Sequence, residues 1–515
     1  MSWIKSGGTK LEKAAFDDRA RRAAKMFQSC GVREGDGVVL CLRNDLVFFE
    51  AAFGVGMLGA YSVLLNWHCT AAEAGYILRD SGAKVLVIHS DLLPQLGQAV
   101  PEEVLVVVVE TPLEILAAYG IADPGQTSDL PIWENLLSSS EPFAGVLAVP
   151  PSSIIYTSGT TGKPKGVKRP PASPEQANSL ARMLAQSYGY TEYLEGQRDP
   201  SEIVTAAIGP LYHTAPNTHA IFSLRIGANV IVEPRFDAER LLKLIESYGV
   251  THLNMVPIMF VRLLRLPENV RRRYDRKSLR YVGHAAAPCP APVKRAMIDW
   301  WGPIIAEYYG TTEMGNVTHI TADEWLAHPG SVGRAMVNTD VKIIDENGKP
   351  VAPGVVGEVV GRRRGATDFT YQNDPAKRAA AEKGGLLAPG DIGYLDEEGY
   401  LYLCDRKADM IVSGGANIYP AEVESELLRL SGIADCAVFG IPDAEFGEAV
   451  MAVVQPVPGF LVEPADLRSR LRSVLSGYKI PRVIEIRDDL PREDSGKIFK
   501  RKLRSPYWEG HERSI

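Results

Sequence analysis

Hydrophobic positions change period along the chain, and the changes divide it. Gly37-Val38-Val39-Leu40-Cys41-Leu42 is nearly unbroken apolar sequence, Leu46 to Gly59 reads as a helix, Tyr61 to Leu65 is a short strand-like run, and Ala71 to Ser81 is helical. Lys84 to Ile88 and Val104 to Val109 add two more apolar runs. Strands apolar on both faces, alternating with helices, predict a doubly wound sheet covered on both sides. A second series follows, with strands at Ile203 to Ala207, Asn229 to Val232, His252 to Val256 and Leu279 to Gly283, and a helix from Asp237 to Tyr248. From Gly333 the segments shorten and alternate between turns, as in Val341 to Gly348 and Gly357 to Gly361, which predicts hairpins of a small β unit. After Asp405 a helix at Ala421 to Leu430 and a strand at Asp435 to Gly440 predict a unit of about 110 residues, the size of an independent domain. The expected fold is α/β: a large N-terminal domain over 1–404, built of two doubly wound α/β layers plus a small β unit, and a smaller α+β C-terminal domain over 405–515.

The length of 515 residues agrees with such a division at about 150 residues per domain. A composition 45% hydrophobic and 23% charged excludes disordered, collagen-like and disulfide-scaffold classes. The net charge of −7 provides no global field for nucleic acid or an anionic bilayer. Six cysteines without a two-residue spacing read as reduced, mostly buried thiols. The first residues lack the apolar core of a signal peptide, and no run approaches the roughly 20 apolar residues of a spanning helix, so a cytoplasmic place is expected.

Two motifs carry chemistry to weigh. Gly54-Val55-Gly56-Met57-Leu58-Gly59 fits a dinucleotide fingerprint, but it sits late in a helix running toward a strand, where those glycines serve helix packing. Ser152 to Gly166 differs: an apolar strand, Ile154-Ile155-Tyr156-Thr157, opens into a loop holding Ser158, Gly159, Thr160, Thr161, Gly162, Lys163 and Lys165. Small residues let backbone N–H groups approach phosphate oxygens, hydroxyls add donors, and lysine adds charge. It is neither a Walker A loop nor a hydrolase nucleophile elbow, because neither spacing is present.

At this loop the chain resembles the adenylate-forming superfamily of acyl-CoA synthetases, peptide-synthetase adenylation domains and firefly luciferase. Segments similar to that superfamily's other signatures occur in order: Tyr308-Tyr309-Gly310-Thr311-Thr312-Glu313, Pro389-Gly390-Asp391, Asp405 to Asp409, Ser413 to Pro420, and Leu490 to Lys497. Asp409 to Tyr419 is most similar to fatty-acyl and bile-acid ligases. The resemblance implies ATP, Mg²⁺ and coenzyme A as cosubstrates or cofactors. A carboxylate attacks the α-phosphate of ATP, and a thiol then takes the acyl group from the adenylate.

The same resemblance assigns residues. Thr157, Ser158, Gly159, Thr160, Thr161, Gly162 and Lys165 would bind the β- and γ-phosphates; Thr312 would contact the α-phosphate, and Glu313 would hold Mg²⁺. Asp391 would accept from the ribose hydroxyls, with Arg406 adding a second contact. Gly283 to Pro288, including Ala286, Ala287 and Pro288, and Glu307, Tyr308, Tyr309, Gly310 and Thr311 would enclose adenine, Tyr309 stacking on it. His213 would line the acyl pocket near the carboxylate; metal ligation by His213 and His219 lacks ligand spacing. Lys497 would bridge carboxylate and α-phosphate, although composition alone reads it as one of a solvated run with Lys500, Arg501, Lys502 and Arg504. The C-terminal domain would be mobile and rotate for the second step, bringing Gly414 and Gly415 to the pantetheine arm and Lys479 near the CoA nucleotide. Ala408 stands at the usual pivot, where relatives often carry a charge, and Pro389 replaces a more usual threonine.

Small residues among Met255, Val256, Pro257, Ala285, Met314 and Gly315 favour a roomy apolar pocket, hence a medium-chain, aryl or steroid-type acid over acetate. The expected enzyme is an acyl-CoA synthetase of fatty acid metabolism; its alternative is an adenylating enzyme that loads a carrier protein, with an oxygenase and a non-catalytic nucleotide binder as more distant rivals. No nucleic-acid partner is expected. The arginine runs Arg271 to Arg273 and Arg362 to Arg364 read as solvated faces, a membrane surface or the CoA phosphates being their other uses, and a homodimer stays open.

Overall fold

The computed structural model describes residues 2–125, 129–157, 164–406, 409–414, 416–492 and 498–509. Their strands form four sheets. A seven-stranded sheet holds Gly37–Cys41 at its centre, flanked by Tyr61–Leu64 and Ile154–Thr157 on one side and Ala83–His89 and Leu105–Val109 on the other, all parallel. Lys165–Lys168 and Thr370–Tyr371 extend one edge antiparallel. A nine-stranded sheet contains the parallel run Asn229–Val232, Val204–Ala207, His252–Met255, Tyr281–His284 and Ile305–Thr311. These are the two layers expected, and most residues of their parallel strands are buried, as in sheets covered on both faces.

Local chemistry sets the boundaries. The helix Ala71–Ser81 starts on a reciprocal cap between Thr70 and Glu73 and stops at Gly82, whose φ of 61° few other residues adopt. In the helix Leu46–Met57, a Cβ on Gly54 would lie 2.9 Å from both Ala23 Cβ and Ala24 N, so the fingerprint glycine serves the close approach of the neighbouring helix. That neighbour, Lys13–Ser29, was not legible: it buries Ala20, Ala23 and Ala24 beside Phe16, Met26 and Phe27, a face too small-sided to stand out by period. The strands Trp3–Ser6 and Thr9–Glu12, equally unexpected, pair onto Asn229–Val232 at the edge of the nine-stranded sheet. Buried Asn44 ties the layers, donating to the carbonyls of Gly209 and Glu233 and accepting from Leu211 N–H at 3.0 Å.

The β unit contains the hairpin Thr339–Ile344 with Gly357–Arg363, then Asp391–Leu395 and Leu401–Arg406. This last strand carries the sheet through the expected boundary at 404, because Asp405 and Arg406 still pair with Ile392 and Asp391. Beyond it, a five-stranded sheet built on Ile433–Asp443 and Gly447–Pro456 packs the helices Pro420–Arg429 and Pro464–Arg472 around its own apolar cluster. Two sequence readings need correction. Arg363 is not part of a solvated face: strand alternation turns it inward and leaves it 9% exposed. Of the cysteines, Cys41 and Cys436 are buried and the other four only partly so. Among the described residues no helix is long and apolar enough to cross a membrane.

Candidate active site

The strands Ile154–Thr157, Val204–Ala207, His252–Met255, Tyr281–His284 and Ile305–Thr311 end, or lead through short loops, at most of the N-terminal residues singled out above. Ligands of open α/β sheets bind at these carboxyl ends. At the first, Thr157 pairs with Lys165 across an antiparallel step, so the stems of the phosphate loop are fixed; Ser158, Gly159, Thr160, Thr161, Gly162 and Lys163 lie outside the described residues. Tyr156 braces the stem by donating to Asp80 Oδ2 at 2.7 Å.

The hairpin joining Ile305–Thr311 to Gly315–Ile320 brings Thr312 and Glu313 to a tight turn. Gly310 has no alternative there, since a Cβ would lie 2.1 Å from the Gly315 carbonyl oxygen. Two residues that sequence reasoning missed hold the turn from the other sheet. Arg169, partly buried, donates to the carbonyls of Thr312 (3.0 Å), Glu313 and Thr367 (2.7 Å), and Tyr371 Oη donates to Glu313 Oε1 at 3.0 Å. No spacing announces either, because their partners are more than 50 positions away, a distance in sequence that only the sheet packing closes. Thr312 Oγ1 meets Thr214 Oγ1 at 2.9 Å, in the first turn of the helix Thr214–Ile226 that His213 precedes. The His213 ring packs against Tyr212, with centroids 4.4 Å apart. The α-phosphate candidate Thr312 and the acid-pocket candidate His213 therefore share one corner.

Lys165 lies 5.8 Å from the centre of the Tyr371 ring, on the Glu313 side. Burial, with Lys377 close by, lowers its pKa to about 8. Its ammonium is the form that attracts phosphate, and a lowered pKa brings its loss into the working range. We expect kcat/KM for ATP, which reports the free enzyme, to fall as pH passes about 8. Lys165→Arg should remove that descending limb, because a guanidinium stays protonated. A profile unchanged in the variant would show that another group sets it.

On the ribose side, Asp391 Oδ2 accepts from Tyr309 Oη at 2.5 Å, and Arg406 Nε lies 3.2 Å from Oδ1. The carboxylate is buried but keeps further lone pairs for sugar hydroxyls. Ala286 stands at φ 72°, a left-handed conformation uncommon outside glycine, in the loop Ala285 to Pro290 that also carries Ala287 and Pro288. Such strain concentrates where a backbone must face a ligand.

Two candidates point elsewhere. Glu307 is buried against Lys294 Nζ at 2.6 Å, on the helix Ala291–Trp301, and Tyr308 turns inward to donate to Asn254 Oδ1 at 2.8 Å. Both side chains thus complete core polar pairs.

In the C-terminal unit, Gly414 has φ 57° and would press a Cβ to 2.9 Å from the Phe446 ring; Gly415, Lys407, Ala408 and Lys497 lie outside the described residues. Lys479 Nζ is held by both oxygens of Glu422, at 2.7 and 2.8 Å, so in this conformation the carboxylate neutralises it. Lys500 is only partly exposed. It pairs with Glu424 at 2.8 Å, and although burial would lower its pKa, Glu424 and Asp405 outweigh that and hold it well above the usual range. Asp405 Oδ2 in turn accepts from Ala421 N–H at 2.9 Å, at the start of the next helix.

A candidate phosphate-loop stem, a carboxylate at a braced turn and a buried carboxylate beside an arginine, contributed by three different sheets, are the parts a nucleotide-dependent acid-activating enzyme needs. Comparison with known proteins gives the family. Residues 3–368 match the AMP-binding enzyme family, and 422–497 match the AMP-binding enzyme C-terminal domain. A feruloyl-CoA synthase of an Amycolatopsis species is 33% identical over 503 residues, covering 97% of this chain and 95% of that protein. A long-chain-fatty-acid–CoA ligase of Mycobacterium tuberculosis is 30% identical over 515 residues, covering 98% and 94%. Among solved structures, ATP-bound MatB from Rhodopseudomonas palustris superposes with a TM-score of 0.83 at 26% identity, covering 99% of this chain and 97% of that one. The chain belongs to the AMP-binding enzyme family. Within that family it is an adenylate-forming enzyme of the acyl-CoA synthetase type.

Proposed function

We propose that the chain is an AMP-forming carboxylic acid–CoA ligase for a bulky hydrophobic acid, aryl, medium-chain or longer. The observation that carries this reading is the turn at Thr312 and Glu313, where the Thr214 hydroxyl from the acid side and the Tyr371 hydroxyl from the phosphate side converge. The first step joins two anions, so the site must supply cations and donors where charge develops. Lys165 would neutralise the departing pyrophosphate, Thr312 would donate to the α-phosphate, and the positive end of the helix Thr214–Ile226 would favour the acid's carboxylate. Glu313 would hold Mg²⁺. Magnesium is commonly held by one or two carboxylates together with phosphate oxygens and water, and Glu313 would supply one carboxylate. Bound there, the cation would neutralise phosphate charge.

The relatives named above act on a feruloyl group and on long-chain fatty acids, which supports a large acid. Met255, Ala285 and Met314 are buried around the same strand ends. Residues 405–515 would move as the second domain, with Gly414 and Gly415 approaching the pantetheine arm and Lys479 exchanging Glu422 for a CoA phosphate. A panel of acids, read by CoA-dependent AMP release, tests the proposal. Aryl and medium- to long-chain acids should outrun acetate by about 10²-fold or more, as several buried methylenes would give. Acetate as the best acid would reject the pocket, and a carrier protein outperforming CoA would favour the carrier-loading alternative.

A further inference from the structure

Arg363 ends the strand Gly357–Arg363, opposite Thr339. Its neighbour Arg364 points outward and pairs with Asp340 at 2.7 Å, whereas Arg363 is 9% exposed. Its Nη1 donates to Met183 Sδ at 2.9 Å, a weak acceptor, and its Nε has no hydrogen-bond partner among the described residues. The charge that acts on it is another cation, Arg169. Burial and that neighbour lower its pKa to about 10. A buried guanidinium facing a thioether, with an unmet N–H, is a costly arrangement.

Its position suggests what would satisfy it. A Cβ built on Gly315 would lie 3.9 Å from Arg363 Nη1 and 3.8 Å from Met183 Sδ. Gly315 pairs directly with Thr311, so the guanidinium stands just behind the turn that carries Thr312 and Glu313. The missing side chain of Gly315 leaves that approach open.

We propose that Arg363 closes the far end of the acid pocket and selects acids with an oxygen acceptor there, a carbonyl or a carboxylate. The assignment rests on the ligase reading and deepens it to a substrate class. A plain hydrocarbon tail would leave Arg363 as it stands, desolvated and unmet; an oxygen at that end would accept from Nε and Nη1.

The test uses the full chain and three acids of equal length: a plain alkanoic acid, its ω-keto counterpart and its α,ω-dicarboxylic counterpart. CoA-dependent AMP release is measured for each, in wild type and in Arg363→Met. Wild type should favour one oxygen-bearing acid over the plain acid by about 10- to 100-fold in kcat/KM, the worth of a hydrogen bond to a charged group. Preference for the dicarboxylic acid identifies a carboxylate, and preference for the keto acid a carbonyl. Arg363→Met should abolish the preference while the plain acid and the KM for ATP hold. Wild-type turnover of the plain acid equal to the others overturns the assignment, whether or not the variant folds, and so does a variant that weakens all three acids alike. No AMP release with any acid overturns the ligase reading and this assignment with it.

Discussion

Lys497→Ala is expected to lower acid-dependent ATP–pyrophosphate exchange by about 10²- to 10³-fold, the cost of removing one donor aimed at developing charge. Thioester formation from pre-made acyl-adenylate should be largely kept. Lys497 itself lies outside the described residues, and its role comes from the motif Leu490 to Lys497. The chain on either side of that motif is anchored. Leu490 is buried in the core that Phe439 and Met451 build, Arg492 pairs with Asp435, and Arg492 and Ile498 form an antiparallel bridge. Three residues on from Lys497, Lys500 is locked to Glu424. A tail of merely solvated lysines would need none of these anchors, and they fix both ends of the segment that carries Lys497. The decisive measurement compares the two half-reactions in one variant. Equal loss in both would remove Lys497 from the first step and make it a folding or docking residue.

The layered sheets were legible because period and turn chemistry agree there. The runs at Gly37, Tyr61, Asn229 and His252 became strands within a residue or two of the expected bounds, since buried parallel strands are apolar on both faces. Candidate residues on strand ends and turns, Thr157, Thr312, Glu313 and Asp391, could be named because their motifs are contiguous. What supports them could not. Arg169 and Tyr371 reach the Thr312–Glu313 turn only after two sheets pack, and Lys500 reads as a solvated charge until the helix Pro420–Arg429 places Glu424 beside it. Arg363 failed for a different reason: a run of three arginines hides the strand alternation that buries the middle one. Nor could contiguity show that the Glu307 and Tyr308 side chains are engaged elsewhere, with Lys294 and Asn254.

Glu313→Gln should raise the Mg²⁺ concentration for half-maximal rate and lower kcat by about 10²-fold, consistent with the several kcal/mol a catalytic cation contributes to transition-state charge. The substitution keeps the size of the side chain and the oxygen that Tyr371 reaches at 3.0 Å, and the turn itself is held through its carbonyls by Arg169. The variant therefore removes charge with the braces left in place. Tyr371→Phe is the matching control. It deletes a neutral donor to Glu313 and should cost only about 1 kcal/mol, roughly fivefold in rate, with a smaller shift in Mg²⁺ dependence. The sign follows from the electrostatics of the corner. Lys165 and Arg169 both lie within the field of Glu313, so removing the carboxylate should make the corner less able to hold a further cation, even as it becomes more attractive to ATP alone. ATP affinity measured without Mg²⁺ should hold or improve in Glu313→Gln, and only the Mg²⁺-dependent rate should fall. A variant that loses ATP affinity without Mg²⁺, while its Mg²⁺ curve stays in place, would assign Glu313 to the fold of the turn and leave the cation to other ligands.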